Sequence, residues 1–433
     1  MREGDLRAAS LKRQLGLLDS LSIGLGAIIG AGIFVLIGIA AGLAGPAVLL
    51  AVLISCLSAT FTALSFAELA SALPKAGGVY EYGRALIHPI VGFLMGWMWV
   101  AGNIILSATA SQGFGYYLSA LVPVVDYKAA AAMLVIAVSV VNALGTRLSA
   151  GVNNVLVVAK TAVLLFLVGV GLWRVEFSNF TPFVPHGFTR VLEATALFYF
   201  AYIGFPRVSA LAEEVKDPEK NLPKAILFAL WISALIYLLV TYTAVGVSGW
   251  VKLSESKAPL ETVARQLGIP WVVGVGGLLA TLSVVLTSVM GQSRVFFAMA
   301  RNGEIPTFLA RVHERFKTPF YAVALSSVVM LVLVLTIDIT GLAMSTSFLI
   351  LMSHVFTNIA AFQLYMRRVE APFKTPSRPL HCILGMSMSL LLALSVERRA
   401  QVFGAAITLA GVAWYLFYVN SVKKGLFRFL KPG

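Results

Sequence analysis

Twelve stretches of this sequence are apolar for long enough to cross a bilayer. They lie at about 17–42, 46–71, 90–120, 128–145, 151–172, 191–212, 225–248, 272–299, 320–337, 342–366, 380–396 and 401–421. A helix needs about 20 mostly apolar residues to span a hydrocarbon core about 30 Å thick. In that solvent every backbone N–H and C=O must be satisfied within the chain, and segments of this length achieve that only as helices. Charged residues make up 12% of the 433, where a water-soluble domain carries about 25%. No polar join is long enough to separate two domains, so residues 1–433 read as one all-α integral membrane domain.

The net charge of +14 raises the question of nucleic acid, and the placement of the charges answers it. With the N-terminus inside, the outer joins hold only Lys128, Arg174, Arg190, Lys252, Lys257, Arg265, Arg398 and Arg399. The other basic residues, Lys160 apart, are assigned to the inner side. This is the positive-inside bias, and it places both termini in the cytoplasm of a multi-pass protein of the cell membrane. Charge spread over many joins forms no nucleic-acid stripe. The basic start runs straight into a full-length span without a small-residue cleavage site, so no removable signal is expected. Cys56 and Cys382 fall in or beside apolar segments without metal-ligand spacing, which suits buried thiols and gives no reason to expect a disulfide-linked partner subunit.

Two segments carry helix breakers where a span should be continuous. The first contains Ser22-Ile-Gly-Leu-Gly-Ala-Ile-Ile-Gly-Ala-Gly-Ile-Phe34, with Gly24, Gly26, Gly30 and Gly32 close together. Each glycine costs a helix about 1 kcal/mol relative to alanine. The sixth contains Leu197-Phe-Tyr-Phe-Ala-Tyr-Ile-Gly-Phe-Pro206, with Gly204 and Pro206 inside an apolar run. Proline removes a donor and breaks a helix. A small-residue packing face in the first and a proline kink in the sixth are the simpler alternatives. Taken together, breaks in the first and sixth segments fit two five-span halves of opposite orientation. Paired interruptions of this kind mark the substrate site of a secondary transporter. A half-helix N-terminus there offers free amides to a carboxylate.

Four motifs in order extend the pattern to a family resemblance. Gly26-Ala-Ile-Ile-Gly-Ala-Gly-Ile-Phe34 resembles the first-span signature of the amino acid–polyamine–organocation (APC) superfamily. Glu68-Leu-Ala-Ser-Ala-Leu-Pro-Lys-Ala-Gly-Gly-Val-Tyr80 resembles its loop after span two, and Glu214-Val-Lys-Asp-Pro-Glu-Lys-Asn-Leu-Pro-Lys-Ala-Ile226 its loop after span six. Ala300-Arg-Asn-Gly-Glu-Ile-Pro306 resembles its loop after span eight. The resemblance implies twelve transmembrane helices in a 5+5 inverted repeat, the LeuT-type fold, with helices 1 and 6 interrupted. Repeat one would cover about 17–172 and repeat two about 191–366, with two additional helices at about 380–421. It also implies an amino-acid site between spans 1, 3, 6, 8 and 10. The backbone of Ile29, Gly30, Ala31 and Gly32 would receive the substrate carboxylate, and the carbonyls of Phe198, Ala201 and Tyr202 the ammonium. Phe200 matches the aromatic gate over the site, a role for which Phe198, Tyr199 and Tyr202 compete.

Lys160 stands near the middle of the fifth segment, in Asn154-Val-Leu-Val-Val-Ala-Lys-Thr-Ala-Val-Leu-Leu-Phe166. It is about 15 Å from either end of that segment at 1.5 Å per residue, too far for its stem to reach water. Such a charge must face a polar cavity or lose its proton. Its position resembles the lysine of archaeal proton-coupled (ApcT-type) members, whose ammonium replaces a sodium ion. The matching partners are the carbonyl of Gly26 and the hydroxyl of Ser283, with Thr287 one turn further on. A permanently charged strut linking spans 1, 5 and 8 is the alternative.

Other polar residues inside the segments are weaker candidates. Asn103, Ser107 and Gln112 are placed to line the site or to bond between helices, and His354 and Asn358 to support it. Glu193 is expected at the interface, and Glu68 and Glu81 to pair with Lys75 and Arg84. No acidic residue falls within the breaks or near the middle of spans 3, 8 or 10. A cationic substrate would need one to offset its desolvated charge, so neutral amino acids over a broad range are expected. The reading is a proton symporter with alternating access, membrane lipid around it and no cofactor beyond the coupling proton. An exchanger of the same family is the alternative, and a channel or non-transporting sensor a distant one. The five histidines are scattered and no HExxH is present, so no enzyme is expected.

Overall fold

The computed structural model describes residues 11–30, 32–256, 258–337 and 343–423. The described residues are helical, joined by turns and one isolated parallel bridge between Leu15 and Val215. Nine of the segments among them are long and apolar enough to cross a membrane, and Phe320–Thr336 and Leu380–Ser395 are shorter apolar helices.

In chain order the helices are α1 (Leu17–Ile28), α2 (Ile37–Ala44), α3 (Val48–Ala72), α4 (Val79–Leu86), α5 (Pro89–Leu121), α6 (Tyr127–Leu144), α7 (Thr146–Gly171) and α8 (Phe188–Tyr199). They continue with α9 (Pro218–Ser248), α10 (Trp250–Glu255), α11 (Pro259–Gln266), α12 (Pro270–Arg301), α13 (Phe320–Thr336), α14 (Ala343–Met366), α15 (Leu380–Ser395) and α16 (Arg398–Lys423). Burial ranks them from centre to rim. The apolar window of α12 is 78% buried and that of α16 only 17%, so α12 is an inner rod and α16 an outer one packed on α5 and α14. α7 shows how sequence sets this up. Asn153 and Lys160, seven residues apart on one helix face, are fully buried, while Val155 and Val158 are 69% and 72% exposed. Its polar face points inward and its apolar face outward, the inverse of a soluble helix.

Local geometry in the first and sixth segments follows their breakers. α1 stops at Ile28, and Ile29 takes an extended conformation, φ −72° and ψ 95°. A π-helical turn, Gly32–Leu36, leads into α2. In the sixth segment α8 gives way at Phe200 to tight 3₁₀ turns, Phe200–Tyr202 and Phe205–Glu214. The two places meet backbone to backbone. A Cβ on Gly32 would lie 2.5 Å from the Cβ of Ala201, and one on Gly204 would lie 2.3 Å from the carbonyl carbon of Ala27. Only glycine permits contacts this close.

Two basic residues assigned to the inner joins belong elsewhere. Arg207 and Arg294 are 1% and 0% exposed. α12 runs on to Arg301, which leaves Arg294 two turns inside it, and helical turns continue past Pro206 through Arg207.

Candidate functional site

The end of α1 creates the acceptors on which Lys160 sits. In a continuous helix the carbonyl of Gly26 would receive the N–H of Gly30. The last bond of the ladder is Ile29 N–H to Leu25 O, at 2.9 Å. Lys160 Nζ donates instead to Gly26 O at 3.0 Å and to Ile29 O at 2.5 Å, and its third bond goes to Ser283 Oγ of α12 at 3.0 Å. An ammonium has three hydrogens and no acceptor, so three acceptors use it fully. Ser283 in turn lies 2.9 Å from Asn153 Oδ1 and 3.2 Å from Gly26 O, and Asn153 donates to Ser22 O at 2.8 Å. The chain α1–α7–α12 is thus tied through one amine, one hydroxyl and one amide, all buried.

Tyr237 of α9 performs the complementary task. Its hydroxyl reaches Ile28 O at 2.6 Å and Ala201 O at 3.2 Å, pinning both breaks to one helix. Phe198 and Tyr202 pack their rings on it at 5.9 and 5.3 Å. The carbonyl of Phe198 accepts the N–H of Phe200. Of the carbonyls expected to take an ammonium, two therefore have partners in this structure. Gly30 packs on Val284 and Gly32 on Ala201; Ala31 lies outside the described residues. Phe200, 5% exposed, stands at the turn itself. The walls are small, apolar and aromatic.

Below this lies a second buried polar group. Arg207 donates to Thr287 Oγ1 at 3.1 Å and to Asn103 Oδ1 at 2.8 Å. Further along, Glu214 and Arg294 form a bidentate pair at 2.8 and 3.2 Å, both 0% exposed, with Thr146 bonded to each. The chain just before α1 is stitched to the same place, because Gln14 and Leu15 N–H groups donate to Glu214 O and Lys216 N–H donates to Leu15 O.

Of the weaker candidates, Gln112 bonds between helices, one of its two expected roles, while Glu68, Glu81 and Arg84 take partners other than those expected. Gln112 turns away to the last carbonyls of α13, Val334 and Ile337, at 2.9 and 2.6 Å. Ser107 bonds back to Asn103 O at 2.6 Å. Glu68 pairs with Arg378 at 2.6 Å and bonds Thr375, rather than Lys75 or Arg84. Arg84 faces Glu304 at 3.4 Å, and Glu81 is nearest Arg301 at 3.9 Å. For Glu68, Glu81 and Arg84 the true partner is more than two hundred residues away in sequence, which local spacing does not reveal. His354 bonds Tyr199 at 3.0 Å and Asn358 bonds Ser65 at 2.7 Å, both between helices. Glu193 is at the surface with Arg190. Tyr237, Asn153 and Arg294 carry no signal in sequence beyond being polar in apolar surroundings, whereas Glu214 opens the loop motif after the sixth segment. Arg207 did carry one, a charge one residue past the breaking proline.

Helices crossing an apolar medium, wrapped around a buried amine seated on a broken helix end, define a polytopic membrane protein with an internal polar site. The amino acid permease family matches residues 15–421, and the chain belongs to that family and through it to the APC superfamily, whose members are transporters and not enzymes. It is 33% identical over 440 residues to the branched-chain amino acid permease BcaP of Bacillus subtilis, covering 96% of this chain and 95% of that one. It is 29% identical to the methylthioribose transporter of Bacillus subtilis, over 95% of this chain and 92% of that one. Against the mitochondrial cationic amino acid transporter 3 of Arabidopsis thaliana the identity is 30%, over 82% and 62% respectively.

Proposed function

We propose that this protein is a proton-coupled importer of neutral amino acids, with Lys160 carrying the coupling proton. In this reading the helices form twelve spans in a 5+5 inverted repeat, the first and sixth interrupted, with both termini cytoplasmic. The carrying observation is the seat of Lys160. The acceptors of its ammonium include Gly26 O and Ile29 O, and Ile29 O shares its peptide unit with the amide of Gly30, one of those where a substrate carboxylate would bind. Loss of one proton leaves the amine two hydrogens for three acceptors. A hydrogen bond from a charged donor contributes about 1.5–3 kcal/mol, so deprotonation loosens the end of α1 and alters the carboxylate's amides. Binding of a proton and of substrate then favour the same arrangement, which is the requirement for symport. The permeases named for amino acids among the relatives support the substrate class, and the absence of an acidic side chain at the breaks supports a neutral side chain.

The test uses protein reconstituted in liposomes. Lys160→Ala should abolish uptake driven by an imposed proton gradient while substrate counterflow from preloaded vesicles persists. A folded Lys160→Ala protein with undiminished gradient-driven uptake would refute the assignment. Exchange by the unaltered protein with no net uptake driven by the proton gradient would make it an exchanger.

A further inference from the structure

Arg207 is a cation that no acid answers. Its guanidinium stays charged at any physiological pH, it is 1% exposed, and among the described residues no carboxylate lies within ion-pair distance of it. Its two bonds go to neutral oxygens, Thr287 Oγ1 and Asn103 Oδ1, and its Nε has no partner. Buried charges are as a rule paired, and the arrangement that leaves this one unpaired is built. The stem of Arg207 is threaded through a slot that only glycine leaves open, since a Cβ on Gly291 would lie 2.8 Å from Arg207 Cγ and 3.0 Å from the ring of Trp99.

Its place is next to the meeting of the first and sixth segments. Arg207 comes three residues after Gly204, which presses on Ala27 and Ile28 at the end of α1. Thr287 is four residues, about 6 Å of rise, beyond Ser283, the hydroxyl that meets Lys160. Lys160 and Arg207 therefore meet one face of α12 a single turn apart, through Ser283 and Thr287.

We propose that Arg207 is a specificity-determining residue that bars amino acids with a cationic side chain. This rests on the transport reading above. An amino acid brings its own carboxylate and is attracted. A second ammonium or a guanidinium on its side chain brings a third like charge into a space where water does not screen it. Neutral side chains meet no such opposition.

Uptake of a labelled neutral amino acid into proteoliposomes is competed with arginine and with citrulline, its uncharged isostere. The unaltered protein should be inhibited at least tenfold more strongly by citrulline. Arg207→Gln should bring the two within about threefold, read as the ratio of competition against the variant's own remaining neutral uptake, and Arg207→Lys should retain the discrimination. Equal competition in the unaltered protein overturns the proposal without any variant, and so does a folded Arg207→Gln protein with an unchanged ratio. No uptake of any amino acid by the unaltered protein overturns the transport reading and this proposal together.

Discussion

At the scale of single residues, the central region depends on carbonyls that a continuous helix would have consumed. Tyr237 is the sharpest instance after Lys160. Tyr237→Phe keeps the ring and removes the hydroxyl, leaving Ile28 O and Ala201 O without their shared donor. A buried group left unsatisfied costs about 1–3 kcal/mol, so this variant should melt several degrees lower in detergent. Unchanged melting would show that the two carbonyls find other partners. Glu304, in the join after α12, is a different kind of residue. It is 4% exposed, and burial pushes its carboxyl from the ordinary 4.5 up to about 7 against the lowering pull of Arg84. An acid whose folded value is raised holds a proton that the unfolded chain has released, so stability should fall as pH rises from about 4.5 to 7 and level off above. Glu304→Gln should flatten that part of a melting-temperature profile, and an unaltered slope would discount the residue.

At the scale of elements, α12 is the rod against which the others are held. It meets α7 through Ser283, the C-terminal part of the sixth segment through Thr287, and Glu214 through Arg294. The last is a fully buried ion pair with its remaining hydrogens directed at Thr146. Removing one partner of such a pair costs about 3–5 kcal/mol, whereas replacing both by apolar groups is often close to neutral. Glu214→Leu alone should therefore destabilise strongly, and Glu214→Leu with Arg294→Met should recover most of the loss. Equal damage from the single and double changes would mean that the pair is held for something other than charge compensation. Glu214 stands out within its loop motif; its partner Arg294 does not, because the two are 80 residues apart and nothing local ties them together.

At the scale of the whole molecule, what could be read from the chain was what depends on neighbours in sequence. Length and apolarity give the long helices: α5, α6 and α12 to α16 match their segments within about three residues, while α7 and α9 begin five and seven residues earlier than read and the short α10 and α11 were not read. Glycine and proline give the places where the ladders stop. The seat of Lys160 was legible through a family motif and not through physics alone, because nothing in the sequence brings Gly26 and Ser283 to one amine. Gln112 and Glu68 show the reverse: their partners, the end of α13 and Arg378, lie more than two hundred residues away. The same holds for the short seam between Leu15 and the residues around Val215. Three main-chain bonds there join the lead-in to the first segment with the tail of the sixth. Neither strip of chain can shift without unzipping from the other, so any movement on that side is a paired event: the two share one hinge pin.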